Sequence, residues 1–178
     1  MKTSAAAAAL SLFACASFAL PAQARDKDAQ FFRTIEGQWT GPGEIVAGKY
    51  KGTKFTCTLE GTTPAATTGM TLDGSCRVGI FNQPMKATIV RSGNSYKGSF
   101  LDGAAGKGLD ITGGNVAGNR VVLAINRKQL SGAMQAKFNN DNSMNVTISV
   151  RLEEQLIPVV GVSLKRVDTT AVGSIAKN

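Results

Sequence analysis

The most constraining feature of the chain is a run of ten residues, 143–152 (SMNVTISVRL), in which apolar and polar side chains alternate strictly. The apolar members occupy every second position, and they are Met144, Val146, Ile148, Val150 and Leu152. Because successive side chains of a β-strand point to opposite faces, this period of two predicts a strand with one core face and one solvated face.

The same alternation recurs along most of the chain from residue 40 onward. It is clear in KFTCTL (54–59), GMTLDGSCRV (69–78), QLSGAMQAKF (129–138) and VVGVSLKRV (159–167), and weaker at 40–46, 85–91, 96–101, 109–116 and 120–127. Gly- and Asn-rich turns separate the runs at 92–95, 118–120 and 139–143, where positive φ suits tight hairpins. Short connections make neighbouring strands antiparallel, and closure removes the two exposed sheet edges. We therefore predict an all-β fold, a single antiparallel up-and-down barrel of about 8–10 strands.

The N-terminal residues carry a secretion pattern. Lys2 is the only charge before Arg25, an apolar run follows it, and Ala22-Gln23-Ala24 has the small-x-small form of a cleavage site. This predicts a signal peptide, 1–24, cleaved after Ala24 and a periplasmic or secreted protein without a transmembrane span. The stretch LFAC leaves lipidation of Cys15 as an alternative.

The remaining chain, 25–178, has the length of one domain. Its first part, DKDAQFFRTIEG, predicts a short helical lead-in over 25–36, with Asp26 or Asp28 as the cap, an apolar face of Phe31, Phe32 and Ile35, and Gly37 as the end. Residues 168–178 lack an alternating pattern and are predicted to form a flexible tail.

Strand register predicts a disulfide between Cys57 and Cys76. If 54–59 and 72–78 are hairpin partners, the two cysteines lie directly opposite each other on the inward face, and Leu59 lies opposite Gly74. An even number of cysteines after signal cleavage, in an oxidising compartment, favours the same bond.

The only tryptophan, Trp39, follows Gly37 in a Gly-x-Trp step between the helix and the first strand. A short helix followed by this step resembles the calycins, which include lipocalins, fatty-acid-binding proteins, avidins and small periplasmic metalloprotease inhibitors. The resemblance implies that Trp39 packs across the closed end of the barrel and that Arg166, in the last strand, covers its indole. Gly37, Trp39 and Arg166 would then have a structural role. The alternative that Trp39 is a core residue of another β-sandwich or barrel stays open.

The sequence lacks residues that common kinds of catalysis and metal binding require. The chain contains no histidine, the commonest general base and zinc ligand, and a disulfide would remove the nucleophilic thiols. We therefore expect no enzymatic activity, no metal and no cofactor. After loss of Lys2 the chain keeps 19 basic against 12 acidic residues, a charge that favours an anionic envelope component. The densest basic group, KYKGTK at 49–54, shows no nucleic-acid pattern.

The predicted inward face mixes small residues with methionines and phenylalanines, so its side chains either fill the barrel or line a cavity. The candidate lining residues are Phe55, Met70, Leu72, Met134, Phe138, Met144, Val146 and Ile148. The leading hypothesis is a non-enzymatic binding protein for a small apolar or amphipathic ligand. Inhibition of a secreted protease, and an envelope-associated structural or stress role, are the alternatives.

Overall fold

Ten antiparallel strands close into a barrel in the computed structural model of the chain, which describes residues 21–101, 108–140 and 142–167. The helix α1 (Pro21–Arg33) precedes the strands. The strands are β1 (Gly37–Ile45), β2 (Lys54–Thr62), β3 (Gly69–Val78), β4 (Phe81–Ser92), β5 (Ser95–Leu101), β6 (Leu109–Ala117), β7 (Arg120–Arg127), β8 (Leu130–Asn140), β9 (Ser143–Leu152) and β10 (Gln155–Arg166). The predicted fold class is confirmed.

Each strand pairs with the next along the chain, and β1 pairs with β10 to close the sheet. The register of β2 and β3 places Cys57 opposite Cys76 and Leu59 opposite Gly74, as the alternation predicted. In β10 the register shifts between Pro158 and Val160. Proline cannot donate to a ladder, which explains why it stands at such an irregularity.

Because sequential strands pair antiparallel, their connections alternate between the two ends of the barrel. The closed end, at the start of the odd-numbered strands, carries α1 and the turns at 63–68, 93–94 and 118–119. The mouth, at the opposite end, carries the β1–β2, β3–β4, β7–β8 and β9–β10 turns, together with the end of β5 and the start of β6. The buried apolar side chains form one cluster inside the barrel, which continues under α1 through Phe31, Phe32 and Ile35.

The helix begins and ends earlier than the sequence predicted. It spans Pro21–Arg33, where the apolar pattern indicated 25–36, so neither Asp26 nor Asp28 is at its first position. Its last turn tightens, since the Ile35 and Glu36 amides donate to the carbonyls of residues 32 and 33. Residues 1–20 of the predicted signal peptide, Cys15 among them, and the predicted tail at 168–178 lie outside the described residues.

Candidate functional site

An apolar cavity of about 120 Å³ lies inside the barrel. Seven of the predicted lining residues border it: Phe55, Met70, Leu72, Met134, Met144, Val146 and Ile148. Lys86 is the one charged residue of the lining, but its Nζ lies 2.8 Å from Asp73 Oδ2 in a pair that is about half exposed. Among the described residues, therefore, no polar group converges on the cavity, which can hold a molecule by burying its apolar surface.

Phe138, the eighth predicted lining residue, does not border this inner cavity. It faces inward but packs at the closed end, with its ring centre 5.7 Å from that of Trp39 and 5.6 Å from that of Phe31, both edge to face. The physical reason is its position along the strand. Since β8 starts at the mouth, its last inward residue lies at the level of the helix.

A second cavity, of about 410 Å³, lies at the mouth. It shares six lining residues with the inner cavity, and they are Phe55, Cys76, Met85, Phe100, Ile148 and Val160. The two cavities are therefore adjacent, one inside the barrel and one at its mouth. Gln83 and Arg127 add polar groups to the mouth, and Arg127 Nε donates to the Gly108 carbonyl at 2.9 Å.

Trp39 lies at the closed end of the barrel. Its side chain is fully buried, and its indole N–H donates to the Ile35 carbonyl at 2.8 Å. The Arg166 guanidinium carbon lies 4.4 Å from the centre of the indole ring, a cation–π distance. Arg166 also donates to the carbonyls of Thr34, at 2.6 Å, and Glu36. One side chain thus joins the last strand, the tryptophan and the segment after α1.

Gly37 has a steric reason for its place two residues before Trp39. Its φ is +101°, in the region that side-chain-bearing residues avoid. A Cβ there would also stand 3.1 Å from Arg166 Nη1. The Gly-x-Trp step therefore lets the chain turn from the helix into β1 while leaving room for the covering guanidinium.

A polar contact that the sequence did not predict holds α1 to the barrel. Asp28 Oδ2 accepts hydrogen bonds from Tyr96 Oη at 2.6 Å and from Arg91 Nη1 at 2.7 Å. Burial first, and then the hydrogen bond to the Asp28 carboxylate and its charge, raise the pKa of Tyr96 above its ordinary range. Arg91 and Tyr96 lie 63 and 68 positions from Asp28 in the sequence, so no local sequence pattern predicts the contact.

The predicted disulfide between Cys57 and Cys76 is confirmed. Both cysteines are buried, and both border the inner cavity, so the bond braces its wall. Disulfides are typical of oxidising compartments.

Two further observations concern metals and membranes. Within 21–101, 108–140 and 142–167, His, Cys, Asp and Glu residues form no group of three or more that could hold a metal ion. No helix in the described part of the chain combines the length and apolar character that crossing a membrane requires.

The chain is similar in fold to a solved structure. No protein-family model matches it, and no curated protein is significantly similar to it. Rv2717c from M. tuberculosis superposes with a TM-score of 0.55 at 13% identity, over 79% of this chain and 98% of that chain. At this identity the likeness concerns the fold alone.

Two other solved structures are more distant. A protein of the DUF3598 family from Nostoc punctiforme has a TM-score of 0.47 at 13% identity, over 76% of this chain and 49% of that chain. This chain therefore spans about half of its length. A variant of the fluorescent protein UnaG has a TM-score of 0.48 at 14% identity, over 76% of this chain and 98% of that chain.

Proposed function

We propose that the chain is a non-enzymatic binding protein for a small apolar or amphipathic molecule, held in the barrel. The observation that carries the proposal is an apolar cavity inside the barrel that shares six lining residues with a wider cavity at the mouth, and we infer a path from the mouth into the barrel. Such a path admits a ligand at one end and removes its apolar surface from water, which favours binding by roughly 25 cal/mol for each Å² buried.

The volumes favour an elongated ligand. The inner cavity, at about 120 Å³, is near the size of an engineered apolar cavity of about 150 Å³ that holds benzene. The mouth, at about 410 Å³, has the volume of an ordinary small-molecule site. We infer that one apolar end of the ligand enters between Met134, Met144 and Leu72. Its bulkier or polar end stays at the mouth, near Gln83 and Arg127.

The location of the protein is part of the proposal. The secretion pattern that ends at Ala24 and the Cys57–Cys76 bond both favour a secreted or periplasmic protein. The Gly-x-Trp step with its covering arginine favours a calycin-type barrel. Protease inhibition through an inserted N-terminal strand is disfavoured, because the segment before the barrel is helical and buries Phe31 and Phe32.

A cavity-filling substitution tests the proposal. Ala136 borders the inner cavity, whereas Ala124 lies exposed on neighbouring β7, so Ala136→Leu and Ala124→Leu add the same atoms inside and outside the barrel. The probe is the neutral apolar dye N-phenyl-1-naphthylamine, titrated while its fluorescence is followed. We expect saturable binding by the wild type and Ala124→Leu, and at least tenfold weaker binding by Ala136→Leu.

Thermal unfolding of the three proteins controls for damage to the fold, because overpacking a core costs about 1–3 kcal/mol. Equal dye affinity in all three folded proteins would refute binding in the inner cavity. Saturable binding lost only from Ala136→Leu would support it.

A further inference from the structure

The large exposed apolar side chains of the described residues are all at the mouth. Nine large apolar residues are exposed, and each lies in a mouth turn or within two residues of a strand end beside one: Val46, Tyr50, Val78, Ile80, Phe81, Leu101, Leu130, Leu152 and Leu156. Within the described residues, the closed-end turns carry none. A contiguous exposed apolar surface marks an interaction site, whereas scattered single residues do not.

The largest exposures fall on two neighbouring turns, β1–β2 and β3–β4. Ile80 is 92% exposed, Phe81 73% and Tyr50 63%. Lys49 and Lys51 flank the tyrosine, and the Lys49 Nζ lies 5.5 Å from its ring centre. We call these five residues, Lys49, Tyr50, Lys51, Ile80 and Phe81, the mouth patch.

The charge beside these apolar residues is positive. Lys54 opens β2 and Arg77 lies next to the end of β3, so both add positive charge beside the mouth patch. Glu44, the nearest acid along either strand pair, lies opposite Lys54 in the β1–β2 register. Among the described residues, none of the four cations (Lys49, Lys51, Lys54 and Arg77) forms an ion pair with a carboxylate. Their charge is thus available to an anionic partner.

We propose that the mouth patch docks the barrel, mouth first, on an anionic phospholipid bilayer. Aromatic and aliphatic tips enter the boundary between headgroups and acyl chains, while lysine ammonium groups reach the phosphates from the same loops. Charge complementarity selects this partner, because an uncharged apolar partner would gain nothing from the cations. The docking follows from exposure and charge, and it holds whether or not the cavity binds a ligand.

The β9–β10 turn sets the orientation of the docked barrel. It carries Glu153 and Glu154, which anionic headgroups repel. The barrel therefore tilts toward the β3–β4 side, where Ile80 and Phe81 enter most deeply. In this pose the mouth faces the bilayer, so an apolar ligand could pass between membrane and cavity without crossing bulk water.

Vesicle co-sedimentation tests the docking. The mature protein is mixed with vesicles of equal phosphatidylglycerol and phosphatidylcholine, or of phosphatidylcholine alone. Double variants Lys49→Gln/Lys51→Gln and Ile80→Ser/Phe81→Ser remove the charged and apolar parts of the mouth patch. The matched control is Lys137→Gln/Lys165→Gln, which removes the same charge from exposed positions away from the mouth.

We expect the wild type to bind only the anionic vesicles, more weakly as salt rises. The affinity should fall about fivefold for each mouth lysine removed and at least tenfold for the Ser double variant, with less than a twofold change in the control. Equal losses in the control and in Lys49→Gln/Lys51→Gln, or binding to both vesicle types unaffected by every variant, would overturn the proposal.

Tryptophan fluorescence tests the orientation separately. Native Trp39 is buried at the closed end, so a Phe81→Trp variant adds one reporter at the mouth. Anionic vesicles should shift its emission to the blue and leave the wild-type spectrum unchanged. An unchanged Phe81→Trp spectrum under conditions where the protein co-sediments would rule out mouth-first docking.

Discussion

Large apolar side chains are buried at the closed end of this barrel and exposed at its mouth. At the closed end, Trp39 and Phe32 are fully buried, and Arg166 joins the strands to the segment after α1. At the mouth, Ile80 and Phe81 stand in solvent. The contrast follows from α1, which lies at the closed end and packs Phe31 and Phe32 against the barrel core. This contrast indicates that the closed end stabilises the fold. We therefore locate our functional proposals at the mouth and in the cavity behind it.

Truncating the tryptophan should give the largest loss in the free energy of unfolding. Trp39→Ala removes the indole from the closed-end cluster, and we expect the free energy of unfolding to fall by about 3–5 kcal/mol. Tyr50→Ala, an exposed aromatic at the mouth, should change it by no more than about 0.5 kcal/mol. Urea denaturation followed by circular dichroism measures both. Similar effects of the two substitutions would contradict the assignment of stability to the closed end.

A smaller effect is expected from the ion pair that anchors the helix. In the Arg91–Asp28 pair the side chains are 17% and 16% exposed, compared with 51% and 57% for Lys86–Asp73. Asp28→Asn should lower the free energy of unfolding by about 2 kcal/mol, because hydrogen bonds to a charged group are lost in a nearly dry site. The matched Asp73→Asn should cost less than about 1 kcal/mol. Denaturation at low and high salt distinguishes the pairs, and a larger loss for Asp73→Asn would refute the account.

The smallest effect concerns alkaline pH. The folded protein holds the Tyr96 proton more tightly than the unfolded chain, whose tyrosine titrates near pH 10. The contribution of this difference to stability is present below about pH 10. It is lost as pH rises further toward the raised folded pKa, because the unfolded state then releases its proton first. Tyr96→Phe should therefore show a shallower decline in urea midpoint between pH 9 and 11 than the wild type, and parallel declines would contradict this assignment.

The barrel could be predicted from the sequence because the alternation of apolar and polar residues is visible within each strand. Residues 143–152 form β9 with the expected period, and the cysteine register follows from two such strands paired across one hairpin. The Gly-x-Trp resemblance pointed to Arg166 as the covering cation, and the structure places that guanidinium over the Trp39 ring. Local periodicity and one family pattern were enough for these features.

Depth along the barrel axis was harder to predict. Alternation identifies Phe138 as inward but does not give its level, although the direction of β8 from mouth to closed end could have supplied it. The contact of Asp28 with Arg91 and Tyr96 joins α1 to two strands that are far from it in the sequence. This contact forms only when the barrel brings these segments together. The clustering of exposed apolar residues at the mouth likewise emerges only when the turns are assigned to ends.

Native mass spectrometry of the protein purified from the cells that produce it tests the central claim most directly. We predict a noncovalent adduct on the wild type that leaves on denaturation and is absent from Ala136→Leu, whose added side chain fills the inner cavity. The denatured chain should match residues 25–178 less two hydrogens. Wild type and Ala136→Leu both at the mass of the bare chain, or both with the same adduct, would contradict a ligand held in the barrel.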